Sequence, residues 1–218
     1  MGEKGFEIME KQVSASLRTY VEQEILPRYD HFDKAHQGDH VRMVISQSLR
    51  LAERLDVDID MAYAIAAYHD TGLCEGRDCH HHASARIILN DKALRRWFSE
   101  EQIQVMADAA EDHRASSDHE PRSIYGRIVA EADRQIDPMT VIRRTVQYGL
   151  DHYPDYGREE HFQRTKQHLH EKYGRNGYLK LWFADSDNAR QLEKLQCIMD
   201  DENQLRQLFE KFYSTKNN

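Results

Sequence analysis

The chain has 218 residues, of which 39% are hydrophobic and 31% charged, with only 10 Gly and 4 Pro. That size suits one ordinary domain or a domain with a helical extension, and that composition predicts charge-studded helices rather than a turn-rich β protein. The formal net charge of −8 argues against general nucleic-acid binding, because phosphate backbones select basic faces. It leaves room for a small phosphorylated substrate in a locally basic, metal-lined pocket.

Almost every segment reads as helix. Phe6, Met9, Val13, Leu17, Val21 and Ile25 recur at helical spacing, and Pro27 is expected to end that element. A polar stretch from Tyr29 to Gly38 carries His31 and His36. Val41, Val44, Ile45, Leu51, Ala52 and Leu55 mark a second helix with Asp39 as its N-cap. Residues 59–70 predict a third, closed by Thr71-Gly72. A loop to Asp78 precedes a helix over about residues 80–94. Ile103, Met106, Ala110 and His113 share a face of the next one. Pro121 is expected to open a helix that aligns Tyr125, Val129 and Asp133, and Pro138 another that runs to about Leu150.

Residues 151–158 are the best boundary, which divides the chain into an N-terminal helix (1–28), a metal-binding core (29–150) and a C-terminal extension (151–218). The extension predicts a charged helix to Tyr173 and one last helix over about 185–213. Leu192, Leu195, Met199, Leu205, Leu208 and Phe212 approximate its apolar stripe. It is expected to pack on the core or on a second subunit, so a homodimer is compatible with the pattern.

Cys74, Cys79 and Cys197 are too few and too scattered for a disulfide framework, and no zinc-type C-x-x-C spacing occurs. Cys74 and Cys79 lie near the candidate site described next, where a thiol could react or ligate. Met1 to Lys11 is polar and lacks the apolar region of a secretory signal. No apolar run approaches the roughly 20 residues that cross a bilayer. A soluble, cytoplasmic protein without membrane association is the expectation.

His69-Asp70 stands at the end of the apolar run Met61-Ala-Tyr-Ala-Ile-Ala-Ala-Tyr68. On a helix, Ala62, Ile65 and Ala66 share its face, so two polar side chains are pushed toward the core. A carboxylate there is costly unless a positive charge compensates it, and a divalent metal would do so. His40 upstream and Asp133, embedded in Ile128-Val-Ala-Glu-Ala-Asp133, supply further candidate ligands. Imidazole and carboxylate together suit a first-row metal ion and leave positions for water or substrate. Taken singly, Asp133 would suit a salt bridge to an Arg, and His69 a hydrogen-bonded place in the core. The four together, in this order, point to a metal.

With His40-Val-Arg-Met-Val44, His69-Asp70 and Glu131-Ala-Asp133, the chain resembles the HD-domain superfamily of metal-dependent phosphohydrolases, in particular bacterial stand-alone members. His36 before His40 and the Ala132-Asp133-Arg134 context fit the same pattern. The resemblance covers about residues 30–150 and implies an all-α, HD-domain-like helical bundle with additional C-terminal helices. It implies His40, His69, Asp70 and Asp133 as metal ligands. Some members hold a second metal with two further histidines, for which His80, His81, His82 and His113 lie in the right interval. His80, four residues before Ser84, fits best. His113 suits a helix C-terminal cap equally well, and three adjacent histidines on a helix cannot share one face.

The family's Lys after the His-Asp pair has no counterpart in Thr71-Gly72-Leu73. Arg77 and Arg114 are the candidates for its phosphate-gripping task, though each would also suit a solvated surface. The implied activity is hydrolysis of a phosphoester or phosphoanhydride, a nucleotide among the candidates, by metal-activated water. The ion would be Mn, Mg, Fe, Co, Ni or Zn. Asp70 or Asp133 would orient the water, and His80, His81 or His113 would protonate the leaving oxygen. The alternatives are a di-iron oxygenase of the same fold and a metal-stabilised sensing or interaction module without turnover.

Overall fold

The computed structural model describes residues 12–32, 38–115, 117 and 119–214, and these are helical with no β-strand among them. The chain divides into two compact units, residues 1–133 and 134–218. The boundary thus falls after Asp133 rather than at 151–158. Helix α7, which the expected core of residues 29–150 includes, buries its apolar face within the second unit. Phe6, Met9, His36 and the polar start Met1 to Lys11 lie outside the described residues.

In the first unit, a helical segment runs from α1 (Ala15–Tyr20) through a π turn (Val21–Ile25) into a 3-10 turn (Leu26–His31). Pro27 does not stop it. It stands in the first turn of the 3-10 stretch, where its missing N–H costs no hydrogen bond. Helix α2 spans Gly38–Ala52, and Asp39 lies inside its first turn rather than capping it. Helix α3 (Ile59–Tyr68) is capped by Asp58, whose carboxylate accepts from the Asp60 and Met61 amides.

Nine of the ten α3 residues are buried. The run of small alanines lets α2, α5 and α6 approach it closely, and Ile65 and Tyr68 fill the gaps between them. Burial of a side chain such as Ile65 contributes roughly 2 kcal/mol. Helix α4 spans His80–Asn90 and is followed by a separate 3-10 turn, Lys92–Arg96. Asp91 separates the two by accepting from the Ala93 amide, so the predicted helix over 80–94 is two pieces. Helix α5 (Glu100–Asp112) opens on a capping box made by Ser99 and Gln102. Helix α6 spans Ile124–Asp133. It starts three residues after Pro121, which sits buried in the preceding turn and packs near Gly126. The backbone leaves α6 through Gln135, at φ 40°.

The second unit comprises α7 (Pro138–His152), α8 (Arg158–Tyr173), α9 (Asp187–Asp200) and α10 (Glu202–Ser214). Val141, Ile142, Val146, Phe162, Leu169, Leu195, Met199, Leu205 and Phe209 build a core of its own. The last predicted helix is therefore two. Asp201 leaves helical geometry and its carboxylate accepts from the Gln204 amide, which caps α10 and resets the apolar register from Leu205 to Phe209. No described helix is long and apolar enough to cross a membrane. All three cysteines are free and exposed.

Candidate metal centre

Five helix ends of the first unit meet at one place. His40 is the third residue of α2, and His69 and Asp70 follow the last residue of α3. His80 begins α4, His113 follows α5, and Asp133 ends α6. Three of these ends are C-termini, whose helix dipoles favour a cation. The sequence expects His69 and Asp70 inside a helix; they occupy the turn beyond it instead, with Asp70 at φ −109° and ψ 6°.

That turn is held at several points. Thr71 Oγ1 donates to the Tyr68 carbonyl at 2.7 Å, and the Gly72 amide donates to Ser84 Oγ at 2.9 Å. Tyr29 Oη donates to the Ala67 carbonyl at 2.9 Å and accepts from the Asp70 amide at 3.3 Å. Gly72 lies so close to α4 that a Cβ there would strike the His80 carbonyl, the Ser84 amide at 2.5 Å and Ala83 Cβ at 2.7 Å. The approach of this turn to α4 requires glycine.

The six side chains form two groups, His40 with His69 and Asp133, and Asp70 with His80 and His113. In the first, His40 Nε2 is 3.3 Å from both His69 Nε2 and Asp133 Oδ1. In the second, the Nε2 atoms of His80 and His113 are 3.2 Å apart, and each is 3.4 Å from Asp70 Oδ1. Asp70 Oδ2 faces the first group, 3.3 Å from His69 Nε2 and 3.5 Å from His40 Nε2. One carboxylate thus joins both. Ligand bonds of about 2.0–2.1 Å place neighbouring ligands about 3.0–3.4 Å apart, the spacing seen here.

The tautomers follow from the backbone. His69 Nδ1 donates to Ala66 O at 2.7 Å, His80 Nδ1 to Arg77 O at 2.7 Å, and His113 Nδ1 to Ala110 O at 2.5 Å. A carbonyl only accepts, so in each neutral ring Nε2 is left as the lone pair. These lone pairs face a second imidazole nitrogen and a carboxylate. Such a donor set is stable only around positive charge, and in the metal-free protein protons supply it. Burial pushes His40 down, but hydrogen bonds to Asp133 and Asp70 outweigh it and raise its pKa to about 9. His113 is likewise raised, its burial outweighed by its hydrogen bond to Asp70 and that carboxylate's charge. Burial pushes Asp133 up, yet His40 and the neighbouring imidazole charges hold it down at about 2. Asp70 is held well below the carboxylate range by the surrounding histidines despite its burial. Burial lowers His80. A protonated His40 thus stands where a cation fits in the first group, and Asp70 favours the protonated form of His113 in the second.

The remaining candidates lie around this cluster. His81 is half-buried, its Nδ1 has no hydrogen-bond partner, and burial and the His82 and Arg114 charges lower its pKa to about 4. His82 is the exposed member of the run and pairs with Glu111 at 2.9 Å. Arg114 is half-buried and donates to the Asp78 carbonyl at 2.8 Å, within electrostatic reach of His80 and His81. Arg77 is exposed, and its backbone carbonyl is what reaches the cluster, through His80. Neither group of possible ligands among the described residues contains a cysteine.

Sequence reasoning misses the carbonyl partners of the three histidines and the hydroxyl of Tyr29. The carbonyls each lie three residues before their histidine, a spacing visible only once the helix ends are known. Asp112 is also missed. Its buried carboxylate accepts from the Arg122 amide at 2.7 Å and from Arg122 Nε at 3.0 Å, which ties the end of α5 to the turn before α6.

Residues 38–135 match the HD domain family, a span that contains all six clustered side chains. No curated protein and no solved structure matches the chain. The ordered His, His-Asp and Asp residues, their convergence at one end of a helical bundle and the family match coincide on the same stretch. The chain's likeness to the HD domain family therefore lies in residues 38–135, the stretch that carries the cluster.

Proposed function

We propose that this protein is a metal-dependent phosphohydrolase whose centre holds two divalent ions. His40, His69 and Asp133 would hold one, His80 and His113 the other, and Asp70 both. The observation that carries this reading is the pair of facing Nε2 contacts, His40 to His69 and His80 to His113, in a cluster whose Nδ1 hydrogens are largely spent on backbone carbonyls. Divalent ions in such a site lower the pKa of water and polarise a phosphoryl oxygen.

The chain's own groups do the rest. Asp70, with one oxygen toward each group, fixes the separation of the two halves, and Asp133 would orient a nucleophilic water. Arg114 is already oriented by the Asp78 carbonyl and turns its remaining N–H donors to a phosphate that carries negative charge. Among the histidines suited to serve the leaving oxygen, His80 and His113 are engaged at both nitrogens. His81 keeps an unpartnered Nδ1. A phosphate dianion beside it raises its pKa toward neutrality, which suits proton transfer to the leaving group.

The test is to strip the protein of metal, restore single divalent ions and assay a panel of nucleotides and phosphoesters. Turnover with at least one ion is expected, lost by 10²-fold or more in His69→Ala and Asp70→Ala. Full activity in either variant, or no turnover with any ion, overturns the reading.

A further inference from the structure

We infer that Tyr29 is a positioning residue for the centre: its hydroxyl sets the turn that aims Asp70 between the two histidine pairs. The inference rests on the metal-binding reading above and names a residue that the ordered His and Asp residues do not include.

The turn presents a specific problem. Helix α3 ends at Tyr68, and the chain must then place an aspartate with one oxygen toward His40 and His69 and the other toward His80 and His113. Past the last helical residue the backbone groups lose their helical partners. Tyr29 meets two of them with one atom, donating to the Ala67 carbonyl and accepting from the amide of Asp70 itself. Its phenol is fully buried, with Phe32 packed edge-on at 5.3 Å between centroids and the His69 ring 6.5 Å away. No water competes for either bond. The phenol arrives from the 3-10 turn Leu26–His31, forty-one residues upstream of Asp70 in sequence. The bond therefore locks a separate element against the ligand-bearing turn.

Asp70 is the ligand least tolerant of displacement, because both of its oxygens are engaged. A shift of about 0.5 Å is enough to spoil a preorganised site. Loss of the hydroxyl leaves the Asp70 amide and the Ala67 carbonyl unpartnered in a dry environment, and the turn relaxes to find other partners. Partners that orient metal ligands from behind change metal affinity by about 10–100-fold when removed.

The experiment compares the full chain with Tyr29→Phe and with Phe32→Leu. The first keeps the ring and deletes the hydroxyl; the second keeps the hydroxyl and trims the packing around it. Each protein is stripped of metal, its thermal midpoint is measured, and Mn2+ and Zn2+ affinities are read by competition with a chromogenic chelator. Tyr29→Phe is expected to weaken metal binding by about 10–100-fold, whereas Phe32→Leu lowers the midpoint of the metal-free protein and leaves affinity within about twofold. A lowered midpoint in Tyr29→Phe with unchanged affinity would make Tyr29 merely structural and overturn the inference. Equal affinity losses in the two variants would do the same. If the unaltered chain binds neither ion, the metal-binding reading itself falls, which is a different result from either.

Discussion

In the metal-free protein the carboxylates of Asp70 and Asp133 favour the protonated forms of His40 and His113, and this fixes how stability responds to pH. His40 titrates at about 9 when folded against about 6.5 when unfolded, and His113 is shifted the same way. Both contributions are complete below pH about 6.5; that of His40 is lost as pH rises through about 9, and that of His113 is lost in the same direction. Asp70 and Asp133 are shifted downward, so their contribution is present above pH about 4 and is lost on acidification. The metal-free first unit should therefore melt highest between pH about 4 and 6.5. A divalent ion has to displace those protons, so its affinity, and the stabilisation it brings, should rise as pH increases from 6.5 to 9. Thermal melts across pH with and without Mn2+ would show the two trends running in opposite directions. Parallel profiles would mean that protons and metal do not compete for these residues.

At the scale of elements, the turn from His69 to Glu75 and the link from α5 to α6 carry the most strain-sensitive contacts. Gly72→Ala should destabilise the protein by about 3 kcal/mol, since overpacking against backbone offers no flexible side chain to yield. That corresponds to a midpoint lower by about 10 °C, and a change under about 2 °C would show that the turn and α4 are not in close contact. Asp112→Ala strands the Arg122 amide and guanidinium and should cost about 2 kcal/mol in denaturant unfolding, a figure moderated because Arg122 is itself partly exposed.

These same elements show what was legible in the sequence. The existence of the helices could be read from apolar period, and His69, Asp70 and Asp133 as candidates from polar residues set in apolar runs, whereas His40 joined them as a ligand through the family resemblance. The helix ends could not be read in this way. Asp39, Pro27 and Pro121 are each residues that ordinarily mark a boundary, and each lies inside or ahead of its element because tertiary packing decides where the backbone turns. Asp201 shows the reverse: one capping carboxylate divides what its apolar stripe presents as a single helix. His80 and His113 were legible as candidates only, since their convergence depends on two helix ends far apart in sequence.

For the whole molecule, the six clustered residues all belong to the first unit, whereas the second has a separate core built from α7 to α10. Added metal should slow amide hydrogen exchange within residues 38–133 and leave α7 to α10 unchanged. Protection spread evenly over both units would mean that the second unit takes part in the site. The central claim, that Asp70 joins two histidine groups into one two-ion centre, is tested most directly by metal content. Elemental analysis of stripped protein reloaded with a single divalent ion should find two ions per chain in the unaltered protein and none retained through gel filtration in Asp70→Ala. Equal metal content in the two proteins would contradict it.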